Sequence, residues 1–444
     1  MVVRRSGAFG SKDSAAMKAN LKLDLVNRDV FVLHFRRWKR AALQPYFPRS
    51  RLTYLPLHLE DKAFLKDWAN AILCAPNPVL LCWSLNAPPA AIRFAREHSI
   101  PLYYIEDGFI RSLAPHASQS PPFSLTFDSR TAYFDSRSAS DLEILLGSYD
   151  FAGDPMLLDR SENGIEALLG SRLSKYNGVG APKVMLVPKR TGRRRVLVIG
   201  QVEDDASIRF GCSSPLTNND VVRVAATENP GCEIVYKPHP DVLNGVRKRI
   251  SNPNDVRHLC EIVTYPAPLP ELLDTADHVY TITSLGGFEA LLRGIPVTVM
   301  GCPFYAGWGL TDDRQENPRR TRNLTVTQLF AGSYLLYPRY FNPVTAAEIS
   351  FEESLNLAVT WRDNGVPHWT VPAVSSSEKR RFQFSGPYGV LGWRHLLTRP
   401  LSWIIRMIGD ARSAEEFRAD PIVFFRELSN PVYRKIGRRL YPRD

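Results

Sequence analysis

The sequence predicts an α/β fold made of two Rossmann-like halves facing a central cleft, followed by a helical tail. Three observations predict it. Short apolar runs of strand character alternate with helix-like runs. A linker near Asn177 to Arg195 separates two such series. Unusual polar residues fall at the carboxyl ends of the strand-like runs, where open parallel sheets bind ligands. The 444 residues, 44% of them hydrophobic, suffice for two packed domains.

Residues 1–24 carry charges without an apolar core and are expected to be flexible, not a signal peptide. A first domain is drawn over 25–185. Val30 to Phe35 (VFVLHF) and Val79 to Ser84 (VLLCWS) read as buried strands. Pro88 to His98 reads as a helix with proline in its first turn, and Pro101 to Asp107 (PLYYIED) as the next strand. That order implies a parallel pair with a right-handed crossover. Polar, proline-rich sequence follows. A second domain is drawn over 190–345. Arg195 to Gly200 (RVLVIG) and Glu233 to His239 (EIVYKPH) read as strands around a helix near Asn219 to Glu228.

The stretch His278 to Thr311 is the most informative. It reads as a strand (Val279 to Thr283), a turn (Ser284 to Gly287), a helix (Phe288 to Arg293) and a second strand (Ile295 to Met300). Gly294 suits the left-handed residue that ends a helix. The unit leaves backbone N–H groups aimed outward, a good place for phosphate, although core units share the pattern.

The net charge of +11 fits a phosphate-bearing substrate, an anionic membrane or nucleic acid. No nucleic-acid-binding motif is legible, which argues against the last. The six cysteines have no CxxC spacing and read as free thiols of a reducing compartment. No run of ~18 apolar residues predicts a membrane span, so a cytoplasmic location is expected.

Four polar clusters end four strands. Glu106 and Asp107 precede Gly108; the pair suits acid–base work, or a simple turn. Asp204 and Asp205 follow Gln201 in QVEDD, as a second acidic pair or a helix cap. Carboxylates from two domains can divide the roles of base and nucleophile. Lys237 and His239, held between Pro238 and Pro240, read as a preset cationic site. Glu289, after Ser284, Gly287 and Phe288, can reach a ribose hydroxyl or complement the helix dipole. Pro303 to Gly309 (PFYAGWG) reads equally as scaffold or cleft wall.

Six motifs in this order carry a resemblance: EDGFIRS (Glu106 to Ser112), SLTFDSRTAYFD (Ser124 to Asp135), GQVEDDASIRFG (Gly200 to Gly211), YKPHPDV (Tyr236 to Val242), TSLGGFEALLRG (Thr283 to Gly294) and PFYAGWGLTDD (Pro303 to Asp313). The chain resembles the bacterial capsule-polysaccharide synthesis family, and within it the retaining β-Kdo transferases, over roughly Val79 to Pro343. Kdo is 3-deoxy-D-manno-oct-2-ulosonic acid.

The resemblance implies a GT-B-like fold, with the first domain on the acceptor side and the second binding the CMP-sugar. It implies CMP-Kdo as donor, no metal or other cofactor, and double displacement through an aspartate. That aspartate falls on Asp205 in the motif begun by Gln201, with Asp204 adjacent. Glu106 is the implied acid/base. Lys237, His239 and Pro240 are implied near the donor phosphate and sugar, and Ser284, Gly287, Phe288 and Glu289 near CMP. Members often carry two such modules; each motif occurs once here, which implies a single Kdo addition or a partner capsule-synthesis protein for the next sugar. A same-fold transferase using another donor, such as CMP-sialic acid, and a non-catalytic component binding capsule glycolipid during assembly or export, are the alternatives.

The tail, 346–444, mixes Trp393, Trp403, Ile404, Ile405, Phe424 and Phe425 with Arg394, Arg399, Arg406, Arg426, Arg434, Lys435, Arg438 and Arg439. It fits the anionic inner-membrane surface, where the enzyme would meet a lipid-linked or saccharide acceptor as a peripheral protein. It equally fits a helix packed across the domains.

Overall fold

The computed structural model describes residues 27–47, 49–110, 122–173, 192–243, 250–265, 267–364, 393–408, 411–428 and 430–441. The expectations for residues 1–24, for most of the linker and for Ser112 lie outside these.

Two sheets organise the described chain. The first holds β1 (Asp29–Leu33), β2 (Arg51–Tyr54), β3 (Pro78–Trp83), β4 (Leu102–Asp107) and β5 (Ser124–Asp128). The second holds β6 (Arg195–Ile199), β7 (Glu233–Lys237), β8 (Glu261–Ile262), β9 (His278–Thr281), β10 (Val297–Val299) and β11 (Asp312–Asp313). The chain then returns to the first sheet with β12 (Arg339–Phe341) and β13 (Glu348–Ile349). The orders are β13-β12-β5-β4-β3-β1-β2 and β11-β10-β9-β6-β7-β8. The second sheet is wholly parallel. In the first, β2, β1, β3 and β4 are parallel, and β5, β12 and β13 add antiparallel.

Both sheets are covered on both faces, which is why their strands read as continuous apolar runs. In β1, Val30 and Val32 enter one core, Phe31 and Leu33 the opposite one. In β6, Val196 and Val198 face one side, Leu197 and Ile199 the other. Each such side chain, fully buried, stabilises by roughly 1.5–3 kcal/mol.

Helices α1 (Arg37–Leu43) and α2 (Pro89–Glu97) follow β1 and β3. The latter makes the expected parallel crossover to β4. Then come α3 (Asp141–Ser148) and α4 (Pro155–Ser171), in the region read from sequence only as polar. In the second half, α5 (Ala206–Gly211), α6 (Asn218–Glu228) and α7 (Leu285–Leu291) occur. A capping box between Thr217 and Asp220 starts α6. The expected turn at Ser284 to Gly287 is instead the start of α7, capped by Ser284. Gly294 takes φ +70°, as expected. Helix α8 (Phe351–Asn364), inside the span assigned to the tail, packs against α4 and β12. A separate cluster of α9 (Trp393–Ile408), α10 (Ala411–Ala419), α11 (Pro421–Glu427) and α12 (Pro431–Leu440) closes the described chain. No helix among the described residues is long and apolar enough to cross a membrane.

The halves are bound together beside the cleft. The Ser136 N–H and hydroxyl both donate to the Phe210 carbonyl at 3.1 Å. Glu143 of α3 is buried and accepts from Arg319 Nε at 2.6 Å and Arg320 Nε at 3.0 Å. Arg320 Nη1 also donates to the carbonyls of Pro303 and Ala306.

Candidate active site

Strand order places the site. In the second sheet the chain leaves β6 toward β7 and β8, then returns to β9 on the other side. The crevice at such a reversal is where α/β sheets bind ligands. Residues after β6, β7 and β9 there face the ends of β3 and β4 across a cleft of about 480 Å³. Glu106 and Asp107 line it from the first half; Gln201, Asp205, Lys237, His239, Pro240, Ser284 and Glu289 line it from the second. The structure therefore brings together these nine of the residues singled out from the sequence.

Asp205 is the N-cap of α5. Its Oδ1 accepts from the Ser207 N–H at 2.9 Å and the Ser207 hydroxyl at 2.8 Å. Its Oδ2 accepts no hydrogen bond among the described residues. The carboxylate is thus held by one oxygen while the other is available. Asp204 is exposed and does not line the cleft.

A directed chain of hydrogen bonds reaches Asp205 from the cleft floor. Gln201 Nε2 donates to Thr283 Oγ1 at 3.1 Å, the Thr283 hydroxyl donates to Ser207 Oγ at 3.3 Å, and Ser207 donates to Asp205. Gln201 is held in turn: its N–H donates to Asn218 Oδ1 at 2.9 Å, and its Oε1 accepts the Thr283 N–H at 2.7 Å. Glu203, between the two motif residues, binds the Asn218 N–H and Ser251 and shapes the loop.

Burial lowers Lys237 from its ordinary lysine value. An anion arriving in the cleft would favour its charged form. His239 Nδ1 accepts the Asp241 N–H at 3.1 Å, which leaves Nε2 to carry the proton of the neutral ring. Ser284 spends its hydroxyl on the Gly286 N–H, as a cap.

In the first half, Lys39 of α1 is buried, 3.9 Å from Asp107 Oδ2 and 2.9 Å from the Trp83 ring centroid. A cation thus sits under the acidic end of β4, where it offsets negative charge.

Gly287 and Phe288 do not reach the cleft. Helical periodicity turns them toward the core while Leu285, Gly286 and Glu289 face the ligand side. A Cβ at Gly287 would lie 2.3 Å from the Tyr305 hydroxyl, and Phe288 is fully buried. Their motif positions serve packing. PFYAGWG divides: Pro303 and Phe304 line the cleft, whereas Tyr305, Ala306 and Trp308 are core. Lys39, Ser207 and Thr283 are the relevant residues that sequence reasoning did not single out. Ser207, two residues past a capping aspartate, carried a local signal; Lys39 carried none, because its contacts are made by strands distant in sequence.

All six cysteines are free thiols. Among the described residues, no group of three or more His, Cys, Asp or Glu side chains is placed to hold a metal ion.

The chain belongs to the family described as capsule polysaccharide biosynthesis protein, which matches residues 79–340. It is 43% identical over 341 residues to the lipopolysaccharide-processing protein LpsZ of Rhizobium meliloti, covering 77% of this chain and 76% of that protein. It is 37% identical over 341 residues to the capsule polysaccharide modification protein LipA of Neisseria meningitidis, covering 76% of this chain and 46% of LipA. The chain thus spans about half the length of that relative. Two solved structures of Thermosulfurimonas dismutans KpsC share the fold. The β-Kdo 2,7 transferase aligns with TM-score 0.59 and 33% identity over 76% of this chain and all of that one. The β-Kdo 2,4 transferase aligns with TM-score 0.60 and 32% identity over 74% of this chain and 97% of that one. The fold is GT-B-like, as the sequence resemblance implied.

Proposed function

We propose that this protein is a retaining glycosyltransferase that moves Kdo from CMP-Kdo to a glycolipid or saccharide acceptor in surface-polysaccharide synthesis. One observation carries the reading: Asp205 is fixed through Oδ1 at the floor of a cleft whose other wall bears Glu106. In the first step the Asp205 carboxylate attacks the anomeric carbon, and the bond to the phosphate oxygen breaks with its electrons leaving on CMP. In the second, the acceptor hydroxyl attacks that carbon, Glu106 takes its proton, and the Asp205 carboxylate departs. Two inversions give net retention.

Lys237 and His239 would hold the CMP phosphate beside the Ser284 cap, with no need for a metal. Glu289 would meet the ribose, and Asp107 with Lys39 would set the field around Glu106. Likeness to two KpsC transferases above 30% identity supports the sugar transferred. The acceptor would be met at the cytoplasmic face of the inner membrane, with other capsule-synthesis proteins supplying or extending it.

Incubation of pure protein with CMP-Kdo and synthetic acceptors, followed by NMR of the product, tests the reading. A β-linked Kdo product is expected. Turnover only with CMP-sialic acid would reassign the donor, and no turnover with any donor would leave a glycolipid-binding component.

A further inference from the structure

We infer that the outer faces of α9 and α12 dock the protein on an anionic lipid bilayer. This deepens the proposed function and rests on it for the membrane-borne acceptor.

The C-terminal helices have their own small core, in which Phe417, Phe425 and Tyr441 are buried. Leu401 and Ile405 turn α9 toward that core. The opposite side of α9 carries Arg399, Trp403, Arg406 and Met407, spaced i, i+4, i+7 and i+8 on one helical face. Trp403 is 62% exposed and Met407 69%. Helix α12 repeats the recipe with Val432, Lys435, Ile436 and Arg439 at i, i+3, i+4 and i+7. Val432 is 60% exposed and Ile436 45%. Neither helix contains an acidic residue.

Large apolar side chains left in water beside arginine and lysine, with no acid among them, match the boundary of an anionic bilayer. There the apolar groups enter the acyl region and the cations stay with the headgroups. A second copy of this chain would bring the same positive face against it, and like charges would repel. Charge complementarity therefore favours the lipid surface.

The unit is tied to the first half of the protein. The Arg37 N–H of α1 donates to Glu427 Oε1 at 3.2 Å, and the Arg37 guanidinium lies 3.7 Å from Asp420. The same helix carries Lys39 beside Asp107. Docking through α9 and α12 would thus hold the wall that bears Glu106 against the membrane.

The test is flotation of the full chain with vesicles of phosphatidylcholine alone or with about one-third phosphatidylglycerol. Flotation with the anionic vesicles only, lost at about 0.5 M salt, is expected. Two variants, Trp403→Glu with Met407→Glu and Val432→Glu with Ile436→Glu, should each weaken partitioning by at least ~10-fold, because they bring acid to an exposed anionic-lipid face. Their melting temperature and turnover on a water-soluble acceptor should not change. Equal flotation of wild type and both variants overturns the proposal, as does equal binding to neutral vesicles. A wild-type dimer that the variants dissolve assigns the face to self-association instead. Loss of turnover in wild type with flotation intact would fault the transferase reading and leave the docking face standing.

Discussion

Gln201 and Thr283 grip each other twice, across the point where the second sheet reverses its strand order. The Gln201 amide nitrogen donates to Thr283 Oγ1 at 3.1 Å, and its amide oxygen accepts the Thr283 N–H at 2.7 Å. The residues are 82 apart in sequence. Their contact joins the ends of β6 and β9 and starts the chain of donors that ends on Asp205.

Thr283→Val should break that chain while keeping the shape of the side chain. Gln201 Nε2 would then be buried without its acceptor, a loss of about 1–3 kcal/mol. Turnover should fall roughly 10–100-fold with a smaller change in the KM for CMP-Kdo, since the chain acts through the position of Asp205. Thr283→Ser should restore most of the rate. Equal effects of Val and Ser, or a change confined to KM, would show that the hydroxyl only supports packing.

Asp205→Asn separates chemistry from folding unusually well. Asparagine caps a helix about as well as aspartate, and its Oδ1 can keep both bonds from Ser207. The melting temperature should stay within a degree or two, because a cap exchange of this kind costs at most a few tenths of a kcal/mol. Transfer should be nearly abolished. Intact-protein mass spectrometry of the wild type with CMP-Kdo and no acceptor should show a Kdo-sized adduct that the variant lacks. Near-normal turnover in Asp205→Asn would remove it as nucleophile.

The strands that build the site are legible because burial on both faces leaves an unbroken apolar signature, as in Val30 to Leu33 and Val196 to Ile199. Strand β5 carries no strand signature of its own, although its residues SLTFD open one of the six motifs. It is defined by antiparallel pairing with β4 and with Arg339 and Tyr340, partners that local sequence cannot reveal. The return of β12 to the first sheet was hidden for the same reason. At the candidate site, short-range motifs single out Asp205, Lys237 and His239, which the structure places on one cleft. The same motifs single out Gly287 and Phe288, which pack against Tyr305 and do not line that cleft.

Glu106→Gln should lose transfer more than donor binding. General-base assistance is typically worth ~10²–10⁴-fold, and glutamine cannot accept the acceptor's proton. CMP affinity by calorimetry should change less than ~3-fold, within the scatter of context effects on one hydrogen bond. Collapse of CMP binding with turnover preserved at saturation would make Glu106 a donor-binding residue.

If partly buried Lys237 supplies the cation for the donor phosphate, as proposed, CMP binding should persist in EDTA. Lys237→Met, which keeps the volume and removes the charge, should weaken CMP binding by at least ~10-fold. Burial lowers this lysine, so raising the pH discharges it earlier than an ordinary lysine. CMP affinity should therefore decline with rising pH before the usual lysine range, and binding near that decline should take up protons. A strict need for magnesium, or affinity that is flat to strongly alkaline pH, would contradict this role.

Asp128 predicts a pH dependence that has nothing to do with catalysis. Its Oδ1 accepts the N–H groups of Arg130 and Thr131, and its Oδ2 accepts the Asp141 N–H and the Tyr337 hydroxyl, both at 2.8 Å. Burial first, and nearby Asp141 second, push its carboxyl up to about 7. The sign follows from linkage. Between the ordinary aspartate value and about 7 the folded state binds the proton and the unfolded state does not, so this residue's contribution to stability falls as the pH rises through that window. Asp128→Asn cannot ionise, although it also disturbs the four hydrogen bonds. The stability difference between wild type and Asp128→Asn should therefore shrink, or turn in favour of the variant, on going from about pH 5 to about pH 8. Chemical denaturation at the two pH values measures it. A difference that stays constant, or that moves toward the wild type as the pH rises, would show that Asp128 is ionised in the fold and that its hydrogen bonds outweigh the cost of its burial.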